Sequence, residues 1–462
     1  MAAQSFSFST TTAYLKSDPN KPNHWSLTWF TRTNSYPLGT DLVKADKSQN
    51  ITLTTELLKS PHQQFRFTST YRNLKIINST LNGQLPDKSL LGRAEYQANA
   101  MKGLISGNVL YEVGAGQEQK RDYSYVEVPA GQGQYTWIDY NNDGIQQLNE
   151  FEIALFQDQA KFIRIFTPTN EYIKANYNTF NYSINLNPRS AINLSTAHGM
   201  RKFVSRMNLQ SSLQISKKEI ANNLVQFNPF KAPLNDTSLI TLTSNFVNTF
   251  SFNRFSTRWG FDVTNARNSS KSLLTYGYES HKLYDWALRT RLNITRMFTI
   301  EVTGHTGFNQ LITSNPKFDN RNYKINQNSV EPRLTFTKGS NFRWGVGYKL
   351  SDKNNEQGSQ EKSISNSLNT DIKYNILQST SIMAKFTYSN ITFTSLDVPP
   401  NANSSSGYII LEGLQPGKNY LWTLDLTKRL SNNLEFNMQY EGRKPGASRI
   451  VHIGRASIRA LL

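Results

Sequence analysis

Polar and apolar residues alternate along most of the chain, which is the period of a β-strand whose successive side chains point to opposite faces. In segment 284–295 one face carries Tyr284, Trp286, Leu288, Leu292 and Ile294, and the other carries Asp285, Arg289, Arg291, Asn293 and Thr295. The alternation recurs at 298–305, 342–350 and 434–441, and helical periodicity is scarce. The pattern predicts an all-β chain with two-faced strands.

Short turns alternate with longer links between these segments. The short turns are 187–190, 252–255, 295–298, 338–341, 377–380 and 430–433, and the longer links are 265–283, 310–328, 351–363 and 397–418. Strands of about 9 to 13 residues are close to the length of a tilted transmembrane strand. Outer-membrane barrels combine tight periplasmic turns with longer outer loops. We therefore predict a large antiparallel transmembrane β-barrel of roughly twenty strands.

The last stretch, 448–462, has an apolar face interrupted by His452 and a basic face with Arg449, Arg455 and Arg459. It resembles the terminal strand of outer-membrane barrels, although it ends in Leu462 where many end in an aromatic residue. A periplasmic C-terminus places the short turns in the periplasm and the longer links outside. The alternative is a soluble or surface-attached β-sandwich adhesin that packs its apolar faces inward, but sandwich strands are shorter.

A long interruption divides the strand pattern into N-terminal strands (1–128), an irregular or partly helical insertion (129–175) and C-terminal strands (176–462). The insertion contains WIDYNNDGIQQLNE, which fits the twelve-residue calcium loop. The predicted ligands are the side chains of Asp139, Asn141, Asp143 and Glu150 and the carbonyl of Ile145, with Gly144 at the sharp turn. The sequence thus predicts a Ca²⁺ site on the outer side.

The calcium loop departs from the usual pattern in its apolar position and in its flanks. Gln146 stands where an apolar residue is usual, and the flanks are not clear amphipathic helices, although 150–165 could form one. A plain Asn-Asp-Gly turn is the alternative, because Asp and Asn favour such turns without a metal.

Composition narrows the choice of function. The 462 residues include no cysteine, which excludes thiolate metal sites, cysteine nucleophiles and disulfides. The net charge is +18, and the basic residues are spread through strands, so we predict contact with outer-membrane lipid and no nucleic-acid partner. The first residues lack an apolar export signal, from which we expect a longer precursor.

Six arginines fall on predicted polar faces and form a predicted basic lumen face: Arg289, Arg291, Arg343, Arg449, Arg455 and Arg459. They could form a track for anionic solutes. The interpretation favoured here is that they brace the wall by pairing with lumen carboxylates such as Asp285, Glu301 and Glu435.

No catalytic motif is present, and no catalytic residue is predicted. The six histidines show no metal-binding spacing, and neither a nucleophile elbow nor a phosphate-binding glycine loop occurs. Asp285 or Glu301 could face His305 in one lumen, which leaves a barrel hydrolase as a further alternative.

Four blocks resemble segments of large, uncharacterised surface or outer-membrane proteins of Bacteroidetes. The blocks are 133–152, 157–172, 413–430 and 440–462. The resemblance implies an exported outer-membrane protein and no particular activity. We predict a non-enzymatic outer-membrane barrel for surface organisation or for passage or export of a substrate, with other outer-membrane or secretion components as partners.

Overall fold

The computed structural model describes residues 5–84, 86–221, 227–231, 234, 236–274, 277–376, 379–397, 399–431 and 433–460. The strands of this part are β1 (Ser7–Lys16), β2 (Asn23–Leu38), β3 (Asp41–Ser60), β4 (Gln63–Ile76), β5 (Asp87–Ala100), β6 (Ile105–Glu127), β7 (Tyr135–Trp137), β8 (Phe151–Ile153), β9 (Phe162–Leu186), β10 (Met207–Ile220), β11 (Leu239–Phe252), β12 (Trp259–Leu274), β13 (Gly277–Asn293), β14 (Phe298–Thr313), β15 (Tyr323–Lys338), β16 (Phe342–Asn355), β17 (Lys362–Ile376), β18 (Thr380–Thr394), β19 (Gly417–Ser431), β20 (Leu434–Lys444) and β21 (Val451–Ala460).

Helices in the described residues are short. They are α1 (Pro188–Ala191), α2 (Gly199–Val204) and α3 (Ser405–Ile410), with 3-10 turns at Met101–Gly103, Leu148–Glu150, Gln157–Gln159 and Pro316–Arg321. None of the helices in the described part of the chain is long and apolar enough to cross a membrane.

Successive long strands form an antiparallel meander. From β1 to β6 each strand pairs with the next one along the chain. β6 pairs with β9 across the insertion, and the order then continues from β9 to β21. Within the described residues the sheet contains 21 strands, of which β7 and β8 belong to the insertion.

The chain divides into two compact units. The first comprises Met1–Asp122, Phe166–Asn248 and Arg267–Ser280, and the second comprises Tyr123–Ile165, Thr249–Ala266 and His281–Leu462. A small apolar core in the first unit joins Ile215, Leu239 and Leu242. A core in the second unit joins Leu311, Tyr323, Ile325 and Ile410.

Large apolar side chains lie on the exposed face of the strands. In β13, Trp286, Leu288 and Leu292 are 41%, 46% and 48% exposed. The same face of neighbouring strands carries further exposed apolar residues, namely Leu334, Trp344, Tyr348, Leu350, Ile364, Leu368 and Ile372. In a water-soluble sheet these positions would be buried, so this face has the chemistry of a lipid contact surface.

The opposite face of the same strands is polar and less accessible. Thr335, Ser351, Ser367 and Ser389 are all buried, and the Ser367 hydroxyl donates to the Ser389 hydroxyl at 2.8 Å. A soluble sandwich buries its apolar residues and exposes its polar ones. These strands do the opposite, because their apolar residues are exposed and their small polar residues are buried. The predicted fold class, a large antiparallel transmembrane β-barrel, and the predicted outer-membrane location are confirmed.

Several predicted turns are confirmed, but the strands are longer than expected. The predicted short turn 187–190 is wrong, because the link from β9 to β10 runs from 187 to 206 and contains α1 and α2. Turns join β13 to β14 at 294–297 and β15 to β16 at 339–341, whereas 377, 378 and 432 lie outside the described residues. The predicted link 265–283 is wrong, because β12 continues to Leu274 and β13 begins at Gly277. The predicted terminal strand appears as β21, and 461–462 lie outside the described residues.

The insertion ends earlier than predicted. β9 begins at Phe162, so 162–175 belong to a strand of the sheet rather than to the insertion. The helix considered for 150–165 is not formed; β8 and a 3-10 turn at Gln157–Gln159 occupy that segment. Phe151 and Glu152 are buried and Ile153 is exposed, and antiparallel pairing of all three residues with β7 makes this segment a strand.

Candidate functional site

The loop predicted to bind calcium is the tip of a small hairpin in the second unit. β7 and β8 pair antiparallel, with Tyr135 opposite Ile153 and Trp137 opposite Phe151. The Ile138 amide donates to the Glu150 carbonyl at 2.9 Å, which closes the hairpin at the start of the loop. The first and last predicted ligands therefore come together.

Aromatic packing holds this hairpin in place. The Phe151 ring stacks on Tyr125 with centroids 4.0 Å apart and meets Phe162 edge-on at 5.0 Å. Tyr135 packs edge-on against Tyr125 at 5.1 Å. Arg164 lies over the Tyr135 ring at 5.6 Å, a cation–π contact. The loop is thus carried by a packed scaffold.

Three of the predicted ligands converge. Oxygen atoms of Asp139, Asp143 and Glu150 lie within 4.8 Å of one another. Asp143 is exposed, Asp139 is half-buried and Glu150 is only 2% exposed. Ca²⁺ takes several oxygen ligands at 2.3–2.6 Å, so carboxylates this close together fit its coordination sphere.

The loop backbone has the turns that converging oxygens require. Asn142 and Gly144 have φ values of 57° and 71°. Gly144 suits its position because an L side chain there would be strained. The Gly144 amide donates to Asp139 Oδ2 at 2.9 Å, and the Ile145 amide donates to Asp143 Oδ1 at 2.7 Å. The predicted glycine role is confirmed.

The remaining predicted ligands, Asn141 and Ile145, both lie next to Asp143. The Asn141 side chain donates to Asp143 Oδ2 at 2.8 Å, whereas the Ile145 side chain is 63% exposed and would offer only its carbonyl. The pKa of the Asp143 carboxyl is lowered, mainly because the Ile145 amide donates a hydrogen bond to it. Asp143 is therefore anionic at neutral pH. The donor set fits Ca²⁺, but these hydrogen bonds also suit a metal-free turn.

Two hydrogen bonds hold the Glu150 carboxylate in place. Its Oε2 accepts from the Trp137 indole at 2.8 Å and from the Gln147 amide at 3.3 Å. A buried carboxylate needs such partners or a cation. The sequence pattern identified Glu150 as a ligand, but the indole partner was not predicted.

A buried polar cluster next to the loop was missed by the sequence analysis. Glu152 Oε1 accepts from the Ser405 hydroxyl at 2.5 Å and from the Tyr140 hydroxyl at 3.4 Å. Glu152 Oε2 lies 3.8 Å from Arg321. Burial and the negative charge of Glu152 raise the pKa of Tyr140. Alternation in β8 places Glu152 on the face opposite Phe151, but it does not show that distant loops bury Glu152.

The insertion is also attached to the C-terminal strands. Both carboxylate oxygens of Asp158 accept from Arg443 at 2.6 Å, and the Leu155 amide donates to the Tyr408 hydroxyl at 3.1 Å. Arg455 donates to the Gln157 side chain at 2.5 Å. Burial raises the pKa of Asp158, but the bond to Arg443 and its charge outweigh this effect, and the net pKa is lowered.

The six arginines of the predicted basic face do not share one environment. Arg289 bonds Glu301 at 2.9 Å, and Arg291 donates to the Ser256 carbonyl at 2.8 Å. The others are Arg455 at the insertion, Arg459 opposite Glu435, Arg343 opposite Thr337 and Lys373, and Arg449 between β20 and β21. Arg289 shows the expected bracing with a carboxylate.

A further charged ladder crosses the first unit. Arg66 lies 3.6 Å from Glu56 and 4.0 Å from Glu95, and Arg93 bonds both Glu95 and Glu112. These residues lie on β3 to β6. The ladder was not predicted from the sequence because its pairs depend on strand register.

Asp285 and His305 come together as considered from the sequence. Asp285 Oδ2 lies 3.0 Å from His305 Nδ1, and Ser329 is the register partner of His305. A cavity of about 250 Å³ is lined by His305 and Ser329 together with Glu331, Lys349 and Lys353.

Comparison with known proteins identifies no family. No family model and no curated protein matches the sequence. Among solved structures, the siderophore receptor PirA from Pseudomonas aeruginosa is similar over 99% of this chain and 70% of its own, with 8% identity and a TM-score of 0.42. The copper transporter OprC is similar over 98% and 72%, with 8% identity and a TM-score of 0.42. The ferric-catecholate receptor Fiu from E. coli K12 is similar over 98% and 72%, with 7% identity and a TM-score of 0.38.

Proposed function

We propose that this chain is a non-enzymatic outer-membrane barrel protein for passage or export of a polar substrate, with a Ca²⁺-stabilised outer segment. The observation that carries the proposal is the reversed polarity of the strands. Trp344 and Leu368 are 45% and 41% exposed, whereas Ser351 and Ser389 are buried. Lipid would cover the apolar face, and the polar face would line the path.

The insertion supports the calcium part of the proposal. Asp139, Asp143 and Glu150 converge on a scaffold that is bonded to α3 and to β20. Bound Ca²⁺ would balance their negative charge and stiffen the hairpin. Affinities of about 10⁻⁴ to 10⁻³ M are typical of extracellular sites of this kind.

The relation to Bacteroidetes surface proteins remains part of the proposal. Two of the quoted blocks contact each other in this chain: Asp158 bonds Arg443, and Gln157 bonds Arg455. Outer-membrane or secretion components remain the proposed partners.

Conductance in planar bilayers tests passage most directly. The purified barrel should give stable ion-conducting steps, because polar side chains line the proposed path. Reconstituted protein that is folded in detergent but conducts nothing would contradict passage and leave surface organisation.

A barrel hydrolase is a second candidate because Asp285, His305 and Ser329 stand on three consecutive strands and share one face. This is the residue set of acyl-transfer enzymes. A serine-directed fluorophosphonate should then label the protein but not the Ser329→Ala variant. Ser351→Ala, in the same cavity, is the matched control. Absence of labelling in the unmodified protein removes this candidate.

A further inference from the structure

Two links of the first unit lie together at one end of its strands. Link 101–104 joins β5 to β6, and link 187–206 joins β9 to β10 and contains α1 and α2. The Asn187 amide donates to the Leu104 carbonyl at 2.8 Å, and α1 packs against the 3-10 turn of the shorter link. The two links therefore form one surface, and we call residues 101–104 and 187–206 the link surface.

Large apolar side chains are exposed on the link surface. Met101 and Met200 are 66% and 75% exposed, and Leu194 and Phe203 are 45% and 47% exposed. Met200 and Phe203 are three residues apart in α2, so they lie on one side of this short helix. A group of exposed apolar side chains on one surface indicates contact with a partner or a membrane.

The link surface is also strongly basic. It contains five basic residues and no acidic one, and the basic residues are Lys102, Arg189, Arg201, Lys202 and Arg206. All five side chains are exposed. Positive charge without an acidic residue in either link attracts anions, so charge complementarity selects an anionic partner.

The link surface continues the apolar face of β5 and β6. Tyr96 and Ala100 lie on one face of β5, and Ile105 of β6 is the register partner of Ala100, so all three share this face. Tyr96 and Ile105 are 41% and 37% exposed. The opposite face carries the ion pair of Arg93 and Glu95. The apolar, lipid-type face therefore reaches Ile105, the residue that directly follows the shorter link.

We propose that the link surface binds the anionic headgroups of phospholipids in the bilayer that surrounds the strands. Arg201 and Lys202 contact the lipid phosphates, and Met200 and Phe203 enter the boundary between headgroups and acyl chains. Basic and apolar side chains on one surface are the composition that binds such a boundary. An acidic protein segment would match the charge, but it would not explain why the basic residues stand where a lipid-type face ends. This inference rests on the proposed function, because only a membrane-embedded sheet brings the links to the headgroups.

A fluorescent label on the link surface tests this contact. The chain has no cysteine, so Met200→Cys places a single environment-sensitive dye on α2. The full chain is reconstituted in nanodiscs of phosphatidylcholine with increasing fractions of phosphatidylglycerol. We expect phosphatidylglycerol to shift the emission to shorter wavelength and to shield the dye from iodide. A dye at Gln84→Cys, in the link from β4 to β5 at the other end of β5, should show neither effect.

Removal of two charges tests the named residues in the chain labelled at position 200. Arg201→Gln with Lys202→Gln should weaken binding of the link surface to phosphatidylglycerol roughly 25-fold, because each basic residue near an anionic surface contributes about 1 kcal/mol. Lys75→Gln with Lys88→Gln is the matched control and should leave the response unchanged, because it removes the same charge at the ends of β4 and β5 far from the shorter link.

The outcomes separate failure of the inference from failure of the proposed function. Equal emission with and without phosphatidylglycerol, a dye open to iodide in both kinds of nanodisc, or equal responses of the two double variants would overturn the inference. A chain that does not enter nanodiscs as a heat-modifiable barrel would overturn the proposed function itself.

Discussion

Asp139 and Glu150 stand at the two ends of one hairpin, and this explains why spacing along the sequence predicted that their carboxylates meet. Glu152, two residues later, meets Ser405 and Arg321 from distant loops. Alternation indicates which face Glu152 occupies, but it contains no information on which loops fold over that face. Contacts between residues close in the sequence were therefore predictable, and contacts between distant residues were not.

Removal of the loop carboxylates should abolish stabilisation by calcium. In the unmodified protein, calcium at 100 times Kd should stabilise the fold by about 2.7 kcal/mol and raise the melting temperature of the insertion. The Asp139→Ala, Asp143→Ala double variant should show no rise, because two of the three converging carboxylates are gone. Calcium titrations followed by tryptophan fluorescence would measure this, since Trp137 bonds Glu150.

Asp18→Ala is the matched control, because Asp18 accepts a turn hydrogen bond from Asn20 outside the insertion. Its calcium response should equal that of the unmodified protein. No calcium response in the unmodified protein would leave the plain turn as the correct interpretation.

Loss of Glu152 should loosen the buried cluster. Glu152→Ala leaves Ser405 and Tyr140 without their carboxylate acceptor and removes the carboxylate that lies 3.8 Å from Arg321. We expect a cost of about 1 to 3 kcal/mol, the usual penalty for buried polar groups that lose a partner. Amide exchange should accelerate in β7, β8 and α3, whereas the exposed Glu127→Ala control should leave it unchanged. Equal exchange in both variants would show that the cluster does not hold the insertion.

At the level of elements, alternation predicted the strands well because each has a lipid-type face and a polar face. It did not predict their ends, since polar strand ends have the composition of loops. β12 and β13 illustrate this: Asn268, Ser269 and Ser270 were taken as part of a loop and lie within β12. The predicted end of the insertion was wrong for the same reason, because β9 begins within a stretch that lacks clear alternation.

The attachment of the insertion to β20 should depend on pH. The pKa of Asp158 is lower in the folded protein than in the unfolded chain, because Arg443 bonds its carboxylate. The ion pair therefore stabilises the fold above the ordinary pKa range of Asp, and this contribution is lost as the pH falls through the lowered pKa. Limited proteolysis of the insertion should accelerate over that acidic window.

Asp158→Asn is the variant that isolates this pair. It keeps one acceptor for Arg443 but removes the charge, so proteolysis at neutral pH should be faster and its acid dependence weaker. A variant with the same pH profile as the unmodified protein would assign the acid sensitivity to other carboxylates.

At the scale of the whole molecule, the net charge of +18 raises the question of anion selectivity. Arg289 is neutralised by Glu301, whereas Arg343 lies opposite Lys373 and has no acidic partner among the described residues. Arg343→Ala should therefore shift reversal potentials toward cations more than Arg289→Ala does. Recordings near 0.01 M salt, where charges act over about 30 Å, give the largest difference. A larger shift for Arg289→Ala would contradict the bracing interpretation.

The central claim is that the exposed apolar face meets lipid in a closed barrel, and heat-modifiable migration after cell fractionation tests it most directly. We expect recovery in the outer membrane and a shift in gel mobility on boiling, because a folded barrel resists detergent and an unfolded chain does not. Soluble recovery without a shift on boiling would rule out a membrane barrel, since the apolar face would then have to be covered by protein instead of lipid.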